Sequence, residues 1–175
     1  EVLAQLEASK QCFIGDKRTL GIKYRGTDMF SNLKNHPLPF QPEEVARVAS
    51  RIFEEGGYEQ VFLATEDLDG LEAFQRCFGS VLRFDENVQR YRKGMDHIQA
   101  VYRTTYTHPA YEEGLAVLRD TWVLSQAQGL VGTGSGVTMF AELFNKAYCS
   151  TPYEDRLILN KGLRKHGENS IRYGQ

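Results

Sequence analysis

Gly129 to Phe144 reads GLVGTGSGVTMFAELF, a run of residue types suited to holding an anion. Gly129-Leu130-Val131 predicts a short buried strand. Gly132, Thr133, Gly134, Ser135 and Gly136 predict a tight turn, and Val137–Phe144 predicts a helix. A strand, a glycine-rich turn and a helix start in that order make a phosphate site. The glycines let backbone approach the anion, and the free N–H groups and positive dipole end of the helix face it. The spacing is not the dinucleotide fingerprint, because the third glycine comes one residue early. It is not a P-loop either, since no Lys-Ser or Lys-Thr follows. The alternative is a close-packed turn that binds nothing.

Arg25, followed by Gly26-Thr27-Asp28, offers a second group for the same chemistry. A guanidinium at a strand end can grip a phosphate through two parallel hydrogen bonds. Its alternative is an ion pair with Asp28 or Asp67. Glu66, Asp67 and Asp69 follow another apolar run, and Asp67 and Asp69 have the spacing of a metal-holding acid pair. The better reading makes Asp67 a helix N-cap and Asp69 a first-turn acid, with Thr65 and Glu66 at the pocket edge. Asp120 interrupts an apolar helix beside Trp122, a poor helix choice unless it keeps a polar contact; the alternative is an exposed Asp paired with Arg119 or another neighbour. His36, His97, His108 and His166 have no metal-ligand spacing, and no Ser-His-Asp or Cys-His arrangement is arguable. No metal site is therefore expected. Tyr91, Tyr102, Tyr106 and Tyr111 crowd one long segment, where they either stack on a ligand or pack the loop down.

The elements that must position these groups alternate. Thr19–Arg25, Gln60–Thr65, Ser80–Phe84 and Gly129–Val131 read as strands. Helices are predicted from Pro42 to the Gly56-Gly57 stop, over Asp67–Phe78, and around Leu115–Leu124. This pattern predicts a Rossmann-like parallel α/β sheet with helices on both faces, its core spanning about 19–146 and a polar tail over 147–175. Ligands of such sheets bind beyond the carboxyl ends of the strands. Arg25, Thr65, Glu66, Thr133 and Ser135 all fall there.

The 175 residues suit a single domain with a normal core, at 41% apolar and 25% charged content. A net charge of -2 argues against a general nucleic-acid binder. No run reaches transmembrane length. Cys12, Cys77 and Cys149 are widely spaced and read as free thiols in a reducing, cytoplasmic setting, with Cys77 a small core residue. The chain starts Glu-Val-Leu-Ala and reads as one domain of a longer protein.

Taken in order, Lys23-Tyr24-Arg25-Gly26-Thr27-Asp28, Val61–Asp67, Arg119–Ala127 and Leu130–Ser135 resemble the GDP-fucose-dependent fucosyltransferases. The α1,6-fucosyltransferases, including the nodulation-type chitin-oligosaccharide enzymes, are the nearest likeness. Those enzymes carry His-x-Arg-x-x-Asp, an apolar strand ending Ala-Thr-Asp-Asp, an Asp followed by Leu-Ser, and Thr-x-Ser-Ser. Lys23 stands where they have His, and Gly136 where they have the second Ser. The resemblance implies a GT-B architecture of which this chain is the carboxyl-terminal, donor-binding half, with the acceptor-binding half elsewhere. It implies GDP-fucose as donor, an oligosaccharide acceptor, inversion at the sugar carbon, and neither cofactor nor metal. By the same resemblance, Arg25 binds the β-phosphate and Asp120 the guanine. Ser135, with Thr133, Gly134 and Gly136, holds the phosphates. Lys23 takes the base or ribose contact, and Thr65 and Asp28 border the pocket. Asp28 is also the nearest acid to activate the acceptor, because Met29–Phe40 contains no Asp or Glu. Two other readings stay open. One is a nucleotide-sugar-binding domain without catalysis. The other is a nicotinamide-dependent oxidoreductase using Glu66 for the ribose, although its glycine turn should follow the first strand rather than the last.

Overall fold

The computed structural model describes residues 1–30, 37–92 and 110–163, apart from the side chains of Asp28 and Ala110. Helix α1 (Val2–Phe13) leads into β1 (Thr19–Lys23), a short 3₁₀ turn (Thr27–Phe30), α2 (Pro42–Glu55) and β2 (Gln60–Ala64). Then come α3 (Leu68–Phe78), a 3₁₀ turn (Gly79–Val81), β3 (Leu82–Arg83), α4 (Ala110–Gln126), β4 (Gly129–Thr133), α5 (Gly136–Tyr148) and β5 (Asp155–Leu159). The five strands are all parallel, in the order β3-β2-β1-β4-β5.

The two faces follow from the alternation of side chains along each strand. Leu20, Ile22, Val61, Leu63 and Val131 point one way, into a cluster with Val45, Ala46 and Ala49 of α2 and Leu71, Phe74 and Phe78 of α3. Phe62, Ala64 and Leu130 point the other way, onto Ile14, Val123, Leu124, Ala127 and Ala141. Gly21 lets α4 press against β1: a Cβ there would lie 3.1 Å from Leu124 Cδ2 and 3.3 Å from Ala127 Cβ. Each central strand is buried on both sides, which is why its sequence is almost continuously apolar.

Several boundaries differ from the sequence reading. β1 stops at Lys23; Tyr24 N–H still donates to Ala64 O at 3.2 Å, but Arg25 has left the ladder. β3 is only Leu82–Arg83, since the preceding residues close a 3₁₀ turn. Gly132 and Thr133 belong to β4 rather than to the turn. Two elements were not foreseen. α1 buries only Leu6 among its own residues, so its apolar signal is weak. β5 lies in the stretch read as a polar tail apart from Leu157-Ile158-Leu159; it is a half-exposed edge strand, so its apolar residues do not alternate cleanly. Cys77 is exposed rather than in the core, because α3 turns Phe74 and Phe78 inward and leaves Cys77 on the outer face.

Candidate functional site

β1 sits between β2 and β4, with Lys23 level with Ala64 and with Gly132. The chain passes from β1 to β2 on one side and reaches β4 on the other, so the crossovers part here. A crevice opens beyond the carboxyl ends of the strands at such a switch point. A cleft of about 330 Å³ occupies it and gathers Lys23, Arg25, Thr65, Asp120, Ser135 and Gly136. Thr133 and Gly134 do not line it. They face a smaller cavity of about 120 Å³, and Arg25 forms part of both walls. The side chain of Asp28 lies outside the described residues, as do His36, His97, Tyr102, Tyr106, His108 and His166.

The turns that aim these groups are tightly specified. A Cβ on Gly26 would fall 1.7 Å from Asp67 Oδ2, so only glycine lets the turn after β1 lie against that carboxylate. Asp67 Oδ1 in turn accepts the Gly70 N–H at 2.8 Å and caps α3. Burial holds Asp67 above the usual carboxylate range. The cap reading of Asp67 therefore stands, and Asp69 pairs with Arg92. Thr65 Oγ1 accepts the Asp67 N–H at 3.1 Å, which commits this hydroxyl to the turn.

At the other wall, Ser135 caps α5: its Oγ accepts the Thr138 N–H at 3.2 Å. Thr138 Oγ1 donates to Thr133 O at 2.9 Å, so at the 2.9 Å contact between the two hydroxyls Ser135 is the donor. The cap leaves Gly136 and Val137 at the cleft, where a helix start has N–H groups without intrahelical partners. The glycines of this turn divide by role. A Cβ on Gly132 would meet Thr138 Cγ2 at 2.9 Å, so that glycine serves packing. A Cβ on Gly134 or Gly136 would meet nothing within 4 Å, so bare backbone is open there.

The floor of the cleft is charged. Lys23 is nearly buried, and its Nζ lies 2.8 Å from Glu66 Oε2. Asp120 is 8% exposed and is not paired with Arg119, whose Nη2 lies 3.2 Å from Asp85 Oδ2. Burial pushes Asp120 up to about 7; Lys23 and Arg90 pull it down, while Asp85 and Glu66 raise it further. Among the described residues no hydrogen bond satisfies the Asp120 carboxylate, which lines the cleft as a ready acceptor.

The cleft also contains residues the sequence reading did not place there. Val88 and Gln89 come from the segment after β3, and Glu113, Ala116 and Val117 come from α4. The α4 group had a legible signal: positions 113, 116, 117 and 120 recur at helical spacing and share a face. The segment after β3 had none. It is fastened by backbone bonds, Tyr91 N–H to Glu66 O at 2.8 Å and Leu68 N–H to Tyr91 O at 2.9 Å. Tyr91 is packed down at 9% exposure yet still lines the cleft, whereas Tyr111 is 62% exposed.

No protein-family model matches this chain, and no curated protein matches it in sequence. Solved structures do match. NodZ α1,6-fucosyltransferase co-crystallized with GDP superposes with a TM-score of 0.50 at 15% identity, over 81% of this chain and 40% of that one. Fucosyltransferase NodZ from Bradyrhizobium gives the same TM-score and identity over 41% of its length. POFUT1 in complex with GDP-fucose gives 0.52 at 8% identity, over 89% of this chain and 46% of that one. The chain thus spans less than half the length of these structures. At such identities the likeness is one of architecture: the chain has a Rossmann-like, GDP-fucose-fucosyltransferase-like fold.

Proposed function

We propose that this domain is the donor-binding half of a GT-B fucosyltransferase, binding GDP-fucose and passing the sugar to a glycan acceptor. The observation that carries the reading is the meeting of Asp120, Arg25 and the start of α5 in a single cleft at the switch point. Above about pH 7 Asp120 is an acceptor-only carboxylate with no hydrogen-bond partner among the described residues, complementary to the N1–H and exocyclic amine of guanine. Arg25 and the Gly136 and Val137 N–H groups suit a diphosphate. Lys23, one ion pair away from Glu66, completes the base and ribose side. The small cavity beyond Arg25, with Thr133 and Gly134 in its wall, is where the sugar and its acceptor would meet.

In this mechanism the acceptor hydroxyl attacks the sugar carbon from the face opposite the diphosphate. The new carbon–oxygen bond forms as the bond to the β-phosphate oxygen breaks, which inverts the centre. Negative charge grows on the departing diphosphate, where Arg25 and the helix start stabilise it without a metal. Asp28 is assigned the acceptor proton. The acceptor itself is bound by a second, amino-terminal domain. Binding of the nucleotide sugar without transfer is the second reading, favoured by the lack of any other acid over Met29–Phe40; a donor-hydrolysis assay separates the two. The nicotinamide reading is weakened because Lys23 already holds the acid at the end of β2.

The test is calorimetric titration of GDP, UDP, ADP and NAD in excess chelator. GDP is expected to bind most tightly, with no loss on chelation. Equal affinity for all four would overturn the guanine assignment, and loss on chelation restored by magnesium or manganese would overturn the metal-free one.

A further inference from the structure

We propose that Asp85 is a positioning residue that fastens the wall of the nucleotide cleft to α4 beside Asp120, and so sets purine selectivity. The inference rests on the reading of the cleft as a guanine site. Asp85 is 4% exposed and is tied from several directions. Its Oδ2 holds Arg119, the neighbour of Asp120 on α4, at 3.2 Å. Its Oδ1 accepts the Asn87 N–H at 2.9 Å and the Asn87 side-chain amide at 3.0 Å. Its carbonyl accepts Arg90 Nη2 at 2.8 Å, and Arg90 Nη1 reaches on to Val88 O at 3.0 Å. The Arg90 guanidinium also lies over the Phe84 ring, 5.0 Å from its centroid. The knot therefore closes the short turn that carries Val88, Gln89 and Tyr91, all of which line the cleft.

A carboxylate can read a purine edge only if the ring is held in its plane. Val88 and Gln89 enter the cleft from the segment after β3, and Asp120 enters from α4. Among the described residues, the Asp85–Arg119 pair is the ionic link between those two elements. Both partners are largely buried, where a paired charge has a fixed geometry and a lost partner is costly. Asp85 also belongs to the electrostatic surroundings of Asp120. The charged groups acting on that carboxylate are Lys23 from β1, Glu66 after β2, and Asp85 and Arg90 after β3. Removing the Asp85 charge subtracts a repulsive neighbour, so the Asp120 carboxyl must release its proton at lower pH.

The experiment titrates GDP, IDP and ADP into the wild type, D85N and the charge-neutral double variant D85N/R119Q between pH 5.5 and 8.5, with a thermal melt of each. D85N keeps an acceptor for Asn87 but loses the ion pair. At pH 8 its GDP affinity is expected to fall by between roughly twofold and a hundredfold, the range for partners in one charged network. ADP affinity should fall less, so the GDP/ADP ratio drops. The pH at which GDP binding is half-maximal should move to lower values. The double variant leaves no orphaned guanidinium and should stay folded with the same loss of selectivity. If the variants weakened GDP, IDP and ADP by one common factor with an unmoved pH midpoint, Asp85 would be scaffold only and the proposal overturned. Failure of the wild type to prefer GDP would instead sink the guanine reading itself, and this inference with it.

Discussion

Asp120→Asn should move stability and binding in opposite directions, which no ordinary core substitution does. In the fold this carboxyl is lifted from its ordinary 3.8 to about 7, chiefly by burial. The folded state therefore holds the proton more tightly than the unfolded chain. The sign follows directly: folding is unhindered by this group below about pH 4, weakens as pH rises, and carries the whole cost above about 7. A rise of that size corresponds to about 4 kcal/mol. Asparagine has nearly the same shape and no charge to bury. The variant should melt like the wild type at pH 4 and above it at pH 8, by up to on the order of 10 °C for a chain of this length. Binding should go the other way. Wild-type affinity for GDP should tighten about tenfold between pH 6 and pH 8 as the carboxylate forms. Beyond the titration of the diphosphate itself, which ADP reports, the variant should be flat over that range and weaker at pH 8 by at least about tenfold, since a hydrogen bond to a charged group contributes about 1.5–3 kcal/mol. Differential scanning fluorimetry at pH 4, 6 and 8, with calorimetry at pH 6 and 8, reads both effects. A variant less stable than wild type at pH 8, or pH-independent GDP binding by the wild type, would refute the reasoning.

Arg25→Ala should abolish transfer and weaken GDP binding by about 1.5–3 kcal/mol with the melt unchanged, and Arg25→Lys should restore little because an ammonium lacks the planar fork. Normal GDP affinity combined with an early melt would make Arg25 a structural residue. Gly26→Ala should cost roughly 2–4 kcal/mol in a urea unfolding titration, because the new methyl displaces Asp67 from its Gly70 cap as well as overfilling the turn. A cost under about 0.5 kcal/mol would show that the turn relaxes freely around Asp67.

The parts of this fold legible in the sequence are those in which burial writes a period. β2 is walled on both faces and reads as Val61-Phe62-Leu63-Ala64, and α2 announces itself by Pro42 with Glu43 and Glu44 in its first turn. β5 was invisible because its outer edge is open and Arg156 faces Glu142 across the surface. The site divides in the same way. Arg25, Thr65, Ser135 and Gly136 were legible because topology carries strand ends to one crevice, and Asp120 because a carboxylate among apolar helix residues needs a reason. The wall built by Val88 and Gln89 was not. Its shape comes from Asp85 and Arg90 bonding to neighbouring backbone, and no residue spacing records such bonds in advance.

On the guanine reading proposed above, the charges around the cleft favour Asp120 over its neighbours as the group that meets the base. Glu66 is answered by Lys23 at 2.8 Å, and Asp85 by Arg119 at 3.2 Å. Asp67 is raised by burial too, but its Oδ1 is engaged by the α3 cap. Asp120 lines the cleft with no hydrogen-bond partner within the described residues, whereas Glu66, whose Oε1 is likewise unpartnered, keeps its Oε2 on Lys23. A buried, unanswered carboxylate is unfavourable to folding, and a ligand with paired N–H donors removes that cost on binding. Affinity is then greatest for the base whose donors match, and a base presenting an acceptor at the same edge leaves the carboxylate worse off than water did. On the proposed reading, selectivity for guanine would follow from the buried charge of Asp120, and Asp120→Asn should lose it.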